Sequence, residues 1–298
     1  MGRITARRRI TRLTLGDDGG PAKVSHNEDV LAVEEPLEIR VGGKALAITM
    51  RTPGHDFDLA AGFLVSEGVI SNGDQFAAAR YCAGATVDGE NTYNVLDVTL
   101  AAGVAPPDPS LERNFYTTSS CGLCGKASID AVRTMSAYTV ADDPLTIDAE
   151  LLASFPDRLR AGQDVFEKTG GLHAAALFDG RTGELLLLRE DVGRHNAVDK
   201  VIGWAVKENL LPLRGVVLMV SGRASFELTQ KASMAGIPLM AAVSAPSSLA
   251  IELASEVGLT IIGFLRGRSM VVYSRDDRVG VAPASESLTA TTREAVSP

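Results

Sequence analysis

Val216-Val217-Leu218-Met219-Val220-Ser221-Gly222-Arg223-Ala224-Ser225 is followed by a helical pattern over 226–235 and then by Leu239-Met240-Ala241-Ala242-Val243. Five apolar residues in a row read as a strand, the small polar loop feeds a helix, and a second apolar run returns as a strand. The same alternation extends outward on both sides. Upstream lie strands over 173–178 and 184–189, joined by a turn at Asp179-Gly180, and a helix over 197–207. Downstream lie a helix over 249–257 and strands over 260–264 and 270–273. Strands separated by helical stretches of about ten residues imply βαβ units, so the class is α/β with a largely parallel, two-faced sheet.

The first half of the chain has a different rhythm. Alternating residues flank Gly42-Gly43 over 36–50, which is a hairpin signal. Asp56 can cap a helix through Leu59, Ala60, Phe63 and Leu64 that stops at Gly68, and a further strand covers 92–100. Pro106, Pro107 and Pro109 lead toward a cysteine segment, and 151–159 is helical, interrupted at Pro156, with Gly170-Gly171 closing that region. Four regions are expected: a flexible basic arm over 1–29, an N-terminal region carrying the cysteine loop over 30–147, an α/β cofactor-binding region over 148–281, and a disordered tail over 282–298.

Composition bounds the function. With 298 residues and 45% hydrophobic content the chain can bury a full core. Three cysteines do not suit a secreted disulfide framework, so a reducing cytoplasm is the expected compartment. No apolar run approaches the roughly 20 residues that span a bilayer. A net charge of −8 argues against nucleic-acid binding, and the basic run Arg3, Arg7, Arg8, Arg9, Arg12 reads as a solvated extension.

Chemistry concentrates in Thr117-Thr118-Ser119-Ser120-Cys121-Gly122-Leu123-Cys124-Gly125. Two thiols at this spacing can hold a metal, close a small disulfide or carry sulfur as a persulfide. The helical pattern of Ile129, Val132 and Met135 begins just after them. A helix N-terminus and Lys126 favour thiolate over thiol, lowering a free-thiol pKa of ~8.5 to about 7 or below. The expected result is a nucleophile.

Three strand-to-helix loops lie where ligands bind in α/β sheets: 190–196 with Asp191, Arg194 and His195, 221–225 with Arg223, and 245–248. A fourth segment, Phe264-Leu265-Arg266-Gly267-Arg268-Ser269, offers two guanidinium groups around a glycine. Together they suggest a nucleotide or other polyphosphate. Arg266 and Arg268 read equally as solvated charges of a hairpin, and His195 equally as part of a structural network. Cys82 reads as a small buried hydrophobe, His173 as a core histidine, and His26 and His55 as surface or capping residues.

Glu34-Glu35-Pro36-Leu37, Arg51-Thr52-Pro53-Gly54, Ser119-Ser120-Cys121-Gly122-Leu123-Cys124-Gly125, Asp191-Val192-Gly193-Arg194-His195-Asn196 and Ser221-Gly222-Arg223, in this order, resemble the sulfur carrier protein FdhD family. The resemblance covers roughly 30–274. It implies an accessory protein for formate dehydrogenase that takes sulfur from a cysteine desulfurase as a persulfide. The sulfur then passes to the molybdenum cofactor, in its bis(molybdopterin guanine dinucleotide) form, before that cofactor enters the dehydrogenase. Carried onto this chain, Cys121 bears the persulfide, Cys124 assists, and Phe264, Leu265, Arg266, Gly267, Arg268 and Ser269 contact the cofactor, where a guanine nucleotide can also sit. It further implies a cytidine-deaminase-like mixed sheet with helices on both faces, a smaller N-terminal β-rich part, and a cytoplasmic homodimer.

Three rival readings stay open on the residues alone. CxxC is the working unit of thiol–disulfide oxidoreductases, yet Gly122-Leu123 stands where their Gly-Pro would be and no Trp precedes Cys121. A zinc-binding deaminase-like protein would need a Glu two residues after a His, and His173-Ala174-Ala175 lacks it. A chaperone that only holds the cofactor would need no thiol chemistry at all.

Overall fold

The computed structural model describes residues 3–17, 20, 22–82, 86–87, 90–108 and 136–281. Within the expected flexible arm, Thr5–Thr14 forms a strand, β1, paired antiparallel with β2, Lys23–Ala32. Strand β3, Glu35–Val41, turns through Gly42 and Gly43, both at positive φ, into β4, Lys44–Arg51. Two left-handed residues in a two-residue loop match the twist of the strands they join, and glycine reaches that conformation without a steric penalty. Helix α1 spans Asp56–Ser66, and Gly68 lies just beyond it at positive φ. Strand β5, Phe76–Tyr81, follows, then the short pair β6, Thr86–Val87, and β7, Glu90–Asn91, and then β8, Val95–Leu100. The first four-stranded sheet has the order β4-β3-β8-β5.

The α/β region opens with β9, Ile147–Asp148, and three short helices: α2, Ala149–Ala153, α3, Phe155–Ala161, and α4, Asp164–Thr169. Strands β10, His173–Asp179, and β11, Leu185–Asp191, precede α5, Arg194–Lys207. Then come β12, Val216–Val220, α6, Phe226–Met234, β13, Leu239–Ala242, α7, Ser248–Val257, β14, Thr260–Arg266, β15, Ser269–Ser274, and β16, Val279–Gly280. The main sheet has the order β11-β10-β12-β13-β14-β15. It is mixed rather than largely parallel. Only β12, β13 and β14 pair in parallel, while β10 runs antiparallel to both neighbours and β15 antiparallel to β14. The reason is connection length: tight turns join β10 to β11 and β14 to β15, and a tight turn can only reverse the chain, whereas parallel neighbours need a helical crossover.

Helices cover both faces, and the strand alternation shows how. Ala174, Ala176 and Phe178 of β10, Val217 and Met219 of β12 and Leu239 and Ala241 of β13 pack with Leu152, Phe155 and Leu159 from α2 and α3. The intervening residues, Ala175, Leu177, Leu218, Val220, Met240 and Ala242, pack with Val198, Val201, Ile202 and Leu228 of α5 and α6. Successive strand side chains point to opposite faces, so one sheet builds two cores. Phe155 stacks on Phe178 with centroids 4.1 Å apart, adding roughly 0.5–1.5 kcal/mol beyond area burial.

The second of these cores does not stop at the sheet. It continues into Leu37, Ile39, Leu59, Leu64 and Leu96 of the N-terminal part, so residues on either side of 147 share one apolar interior. Helices α1 and α5 meet backbone to backbone at two glycines. A Cβ on Gly62 would overlap the Asp199 carbonyl, and one on Gly203 the Asp58 carbonyl.

Candidate functional site

Strands β11 and β12 both oppose β10, so the C-terminal ends of β11, β12, β13 and β14 lie along one edge of the main sheet. The four predicted loops therefore come together there. Hydrogen bonds join them: the Ser221 N–H donates to Ala174 O (3.0 Å), Ala224 N–H to Ala245 O (3.2 Å), Ser247 N–H to Ala224 O (3.0 Å), and Phe264 N–H to Ser244 O (3.2 Å). His173, the first residue of β10, sits at the same edge opposite Asp191.

Asp191 holds the first loop. It is fully buried, and its carboxylate accepts from Gly193 N–H (2.8 Å), Asn196 Nδ2 (3.1 Å) and Thr52 N–H (3.1 Å). Lys200, itself buried, ion-pairs with it at 2.6 Å and donates to the Thr52 carbonyl at 2.9 Å. Asn196 reaches back to Met50 O (2.7 Å), and Thr49 donates to Asn196 Oδ1 (3.0 Å). Arg51 is also buried and grips Asp56 through Nε and Nη2 at 3.1 and 3.0 Å. Two of the ordered sequence motifs, at 51–54 and 191–196, are thus the two halves of one polar joint. The joint fastens the N-terminal part to the α/β region, and a buried charge is tolerable there because every one of these groups has its partner.

Arg194 and His195 lie in the same loop but take no part in that joint. His195 Nε2 is 3.7 Å from Glu227 Oε2, too long for a hydrogen bond, so the contact is ionic once the ring is protonated. Facing His195, the Glu227 carboxyl is held down to about 2. The buried atoms Arg194 Nε, His195 Nε2 and Ser225 Oγ have no hydrogen-bond partner among the described residues. His173 is half-buried, and burial, followed by the nearby Arg194 and His195, lowers its pKa. It favours the neutral ring.

Beside this edge lies a cleft of about 770 Å³ between α3–α4 and the β14–β15 turn. Of the predicted cofactor segment, Leu265, Arg266 and Gly267 line it, whereas Phe264, Arg268 and Ser269 do not. Leu265 belongs to the core and is fully buried. Arg266 Nε donates to Val243 O at 2.9 Å, which fixes the guanidinium and leaves its two terminal nitrogens for a ligand. Arg268 instead pairs with Glu150. Phe264 sits at a register break with φ of 52° and is 41% exposed. A non-glycine residue in the left-handed region is strained, and such strain clusters at ligand sites.

The opposite wall was not foreseen. It consists of Asp157, Arg160, Gln163 and Phe166, with His173 and Ser221 also lining the cleft. The Arg160 guanidinium lies over the Phe166 ring, 4.4 Å from its centroid. These residues belong to no motif. The one available signal was a lone aromatic in a polar stretch.

Cys121 and Cys124, and the expected helix over 126–135, lie outside the described residues, as does the tail over 282–298. Cys82 is a free thiol of intermediate burial rather than a fully buried one. His55 precedes α1 with φ of 56° and faces Asp58 at 3.7 Å without capping the helix through its side chain. His26 shares a 3.1 Å contact with Thr11 on the β1–β2 hairpin. Among the described residues no three His, Cys, Asp or Glu side chains gather into a metal site, and no helix is long and apolar enough to cross a membrane.

Comparison with known proteins fits this arrangement. The model of the FdhD/NarQ family matches residues 32–280. The sulfur carrier protein FdhD of Streptomyces avermitilis is 63% identical over 286 residues, covering 96% of this chain and 99% of that one. The protein of the same description from Mycobacterium tuberculosis is 56% identical, covering 94% and 100%. A solved structure described as a formate dehydrogenase accessory protein, from Desulfotalea psychrophila, superimposes with a TM-score of 0.69 at 20% identity, covering 92% of this chain and 99% of that one. At that identity the likeness speaks for the fold.

Proposed function

The chain belongs to the FdhD/NarQ family, and we propose that it is a sulfur carrier serving formate dehydrogenase, loaded as a persulfide on Cys121 and unloaded onto the molybdenum cofactor. The observation that carries the reading is the end-to-end match to curated sulfur carriers, together with the CxxC at 121–124. In the loading step the Cys121 thiolate attacks the terminal sulfur of a cysteine desulfurase persulfide. A new S–S bond forms on Cys121, the donor's S–S bond breaks, and the donor cysteine leaves as thiolate. Cys124 assists release.

The cargo, bis(molybdopterin guanine dinucleotide) molybdenum, presents pyrophosphates and guanine bases. Arg266 at the cleft, with Arg194 and Arg223 along the edge, supplies the cationic hydrogen-bond donors that such phosphates need in an otherwise acidic protein. The same reading includes a cytoplasmic homodimer and a cytidine-deaminase-like arrangement, the latter supported by the mixed sheet with helices on both faces.

The test is mass spectrometry after incubation with a desulfurase and cysteine. The expected result is one added sulfur on the Cys121 peptide, abolished by Cys121→Ala, with formate dehydrogenase activity lost in cells carrying that variant. Full activity with Cys121→Ala would sink the reading.

A further inference from the structure

The β1–β2 hairpin carries a charge that the rest of the chain does not share. Strand β1 places Arg7, Arg8, Arg9 and Arg12 close together and holds no acid, in a chain of net charge −8. Side chains alternate along a strand, so Arg7 and Arg9 face one way and Arg8 and Arg12 the other. Glu28 and Asp29 stand opposite Arg9 and Arg8 in register. Among the described residues, however, only Arg7 of these four pairs with a carboxylate, that of Glu28 at 3.9 Å, and both side chains are largely exposed. An exposed pair that long is weak. The arginines are therefore free to meet another molecule.

Nothing in the hairpin serves the interior. Neither main core includes a residue of β1 or β2. Leu13 and Val24, paired near the tip on the face of Arg7 and Arg9, are 64% and 55% exposed. Arginine beside exposed apolar side chains is the composition of a protein–protein interface, which is enriched in Arg and depleted in Lys. The match to the Streptomyces avermitilis protein takes in 286 of the 298 residues, so it reaches into the hairpin although the family model begins at residue 32. The hairpin is also rooted beside the cleft. Strand β2 packs against α4, whose Phe166 lines the cleft, and Ala32 lies against Gly171, which lines it too.

We propose that the β1–β2 hairpin is a docking arm for the protein that receives the cargo, and that it grips an acidic surface around that protein's cofactor entrance. This rests on the sulfur-carrier reading: a recipient taking cargo from the cleft must approach its rim, where the arm begins. Guanidinium forks hold carboxylates at two points, and Leu13 with Val24 adds apolar contact. The charge distribution also orients the encounter. An acidic recipient is attracted by the basic arm and repelled by the acidic body, so it arrives at the end of the molecule that leads to the cleft.

The experiment follows association of the full chain with cofactor-free formate dehydrogenase at low and at high salt, with persulfide loading by a desulfurase measured on the same samples. The parent is expected to associate in a salt-sensitive manner. The triple variant Arg8→Ser, Arg9→Ser, Arg12→Ser should associate about tenfold or more slowly at low salt and lose most of the salt dependence. It should load sulfur and melt as the parent does, because these side chains touch neither core. The triple Arg→Lys variant keeps the charge and should recover most of the rate. Unchanged association of the serine variant overturns the proposal. Slow sulfur loading by that variant, with dehydrogenase binding intact, overturns it in favour of the sulfur donor as the arm's partner. A smaller sedimenting species, again with dehydrogenase binding intact, overturns it in favour of a second copy of this chain. A parent that loads sulfur but does not bind the dehydrogenase removes the docking arm and leaves the carrier reading standing, whereas a parent that takes up no sulfur removes both.

Discussion

Asp191 and Asp58 are both buried carboxylates, yet the cations facing them differ in what they are worth. Lys200 is 1% exposed and, among the described residues, the one cation ion-paired with Asp191, so Lys200→Ala strands a charge in the interior and should cost about 3–5 kcal/mol in a urea titration. Lys207 on Asp58 is 44% exposed, and Arg189 also faces that carboxylate at 3.5 Å. Lys207→Ala should cost no more than about 1 kcal/mol, because solvent and the second cation compensate. Equal losses would show that the Asp191 joint is not the closed unit its geometry implies. Acid sensitivity belongs to this scale too. Burial lowers the His173 pKa in the folded protein, and burial does the same for His55. Below the unfolded value of 6.5 the unfolded chain therefore binds more protons, and stability falls as the pH drops from about 6.5 toward the lowered folded values. His173→Gln should flatten that decline in melts run across the window; an unchanged slope would exclude His173 as its source.

Among the elements, the contact of α1 with α5 is the least forgiving. Alanine at Gly203 gains up to about 1 kcal/mol of helix propensity. It must also push the Asp58 backbone away, and overpacking of this kind costs typically 1–3 kcal/mol or more. Gly203→Ala should therefore lower the denaturation midpoint, and Gly62→Ala likewise; a stabilised variant would mean the helices can slide apart freely. This scale also shows what the sequence could tell. Val216–Val220 reads correctly because nothing in it competes with a buried strand, and Gly42-Gly43 because two positive-φ glycines mean a hairpin. Strand β5 went unseen because Phe76-Ala77-Ala78-Ala79-Arg80-Tyr81 is built on alanines, which favour helix, and only pairing with β8 makes it a strand. The direction of β10 was hidden because a strand's neighbour across the sheet is a long-range property. The cleft was half legible for the same reason. Arg266 stood in a visible charged turn, whereas Gln163 and Phe166 reach the cleft only through the packing of α3 and α4 against the sheet, which is not written locally.

For the molecule as a whole, packing changes character at residue 32, where β2 ends. The two main cores begin at Leu37 and include nothing from β1 or β2, and the family match begins at residue 32, where β2 ends. The hairpin touches the body at its base, where Val33 N–H donates to Ile4 O at 2.9 Å and Ala32 lies against Gly171. A two-stranded hairpin is marginal by itself in water, so its order leans on the body while the body draws little from it. A chain that starts at Val33 should accordingly unfold in one cooperative transition, with a midpoint lowered by less than about 5 °C. Cutting at 147 should do the opposite. Leu37, Leu59 and Leu96 share their core with Val198, Ile202 and Leu218, and Asp191, Thr52, Lys200 and Asn196 form a single polar joint across the same boundary. Each half made alone would expose apolar surface and orphan the buried charges, so neither 33–147 nor 148–281 should give a sigmoidal melt. A folded, cooperative 148–281 fragment would show that the joint is decoration and that the cleft stands on the α/β region alone.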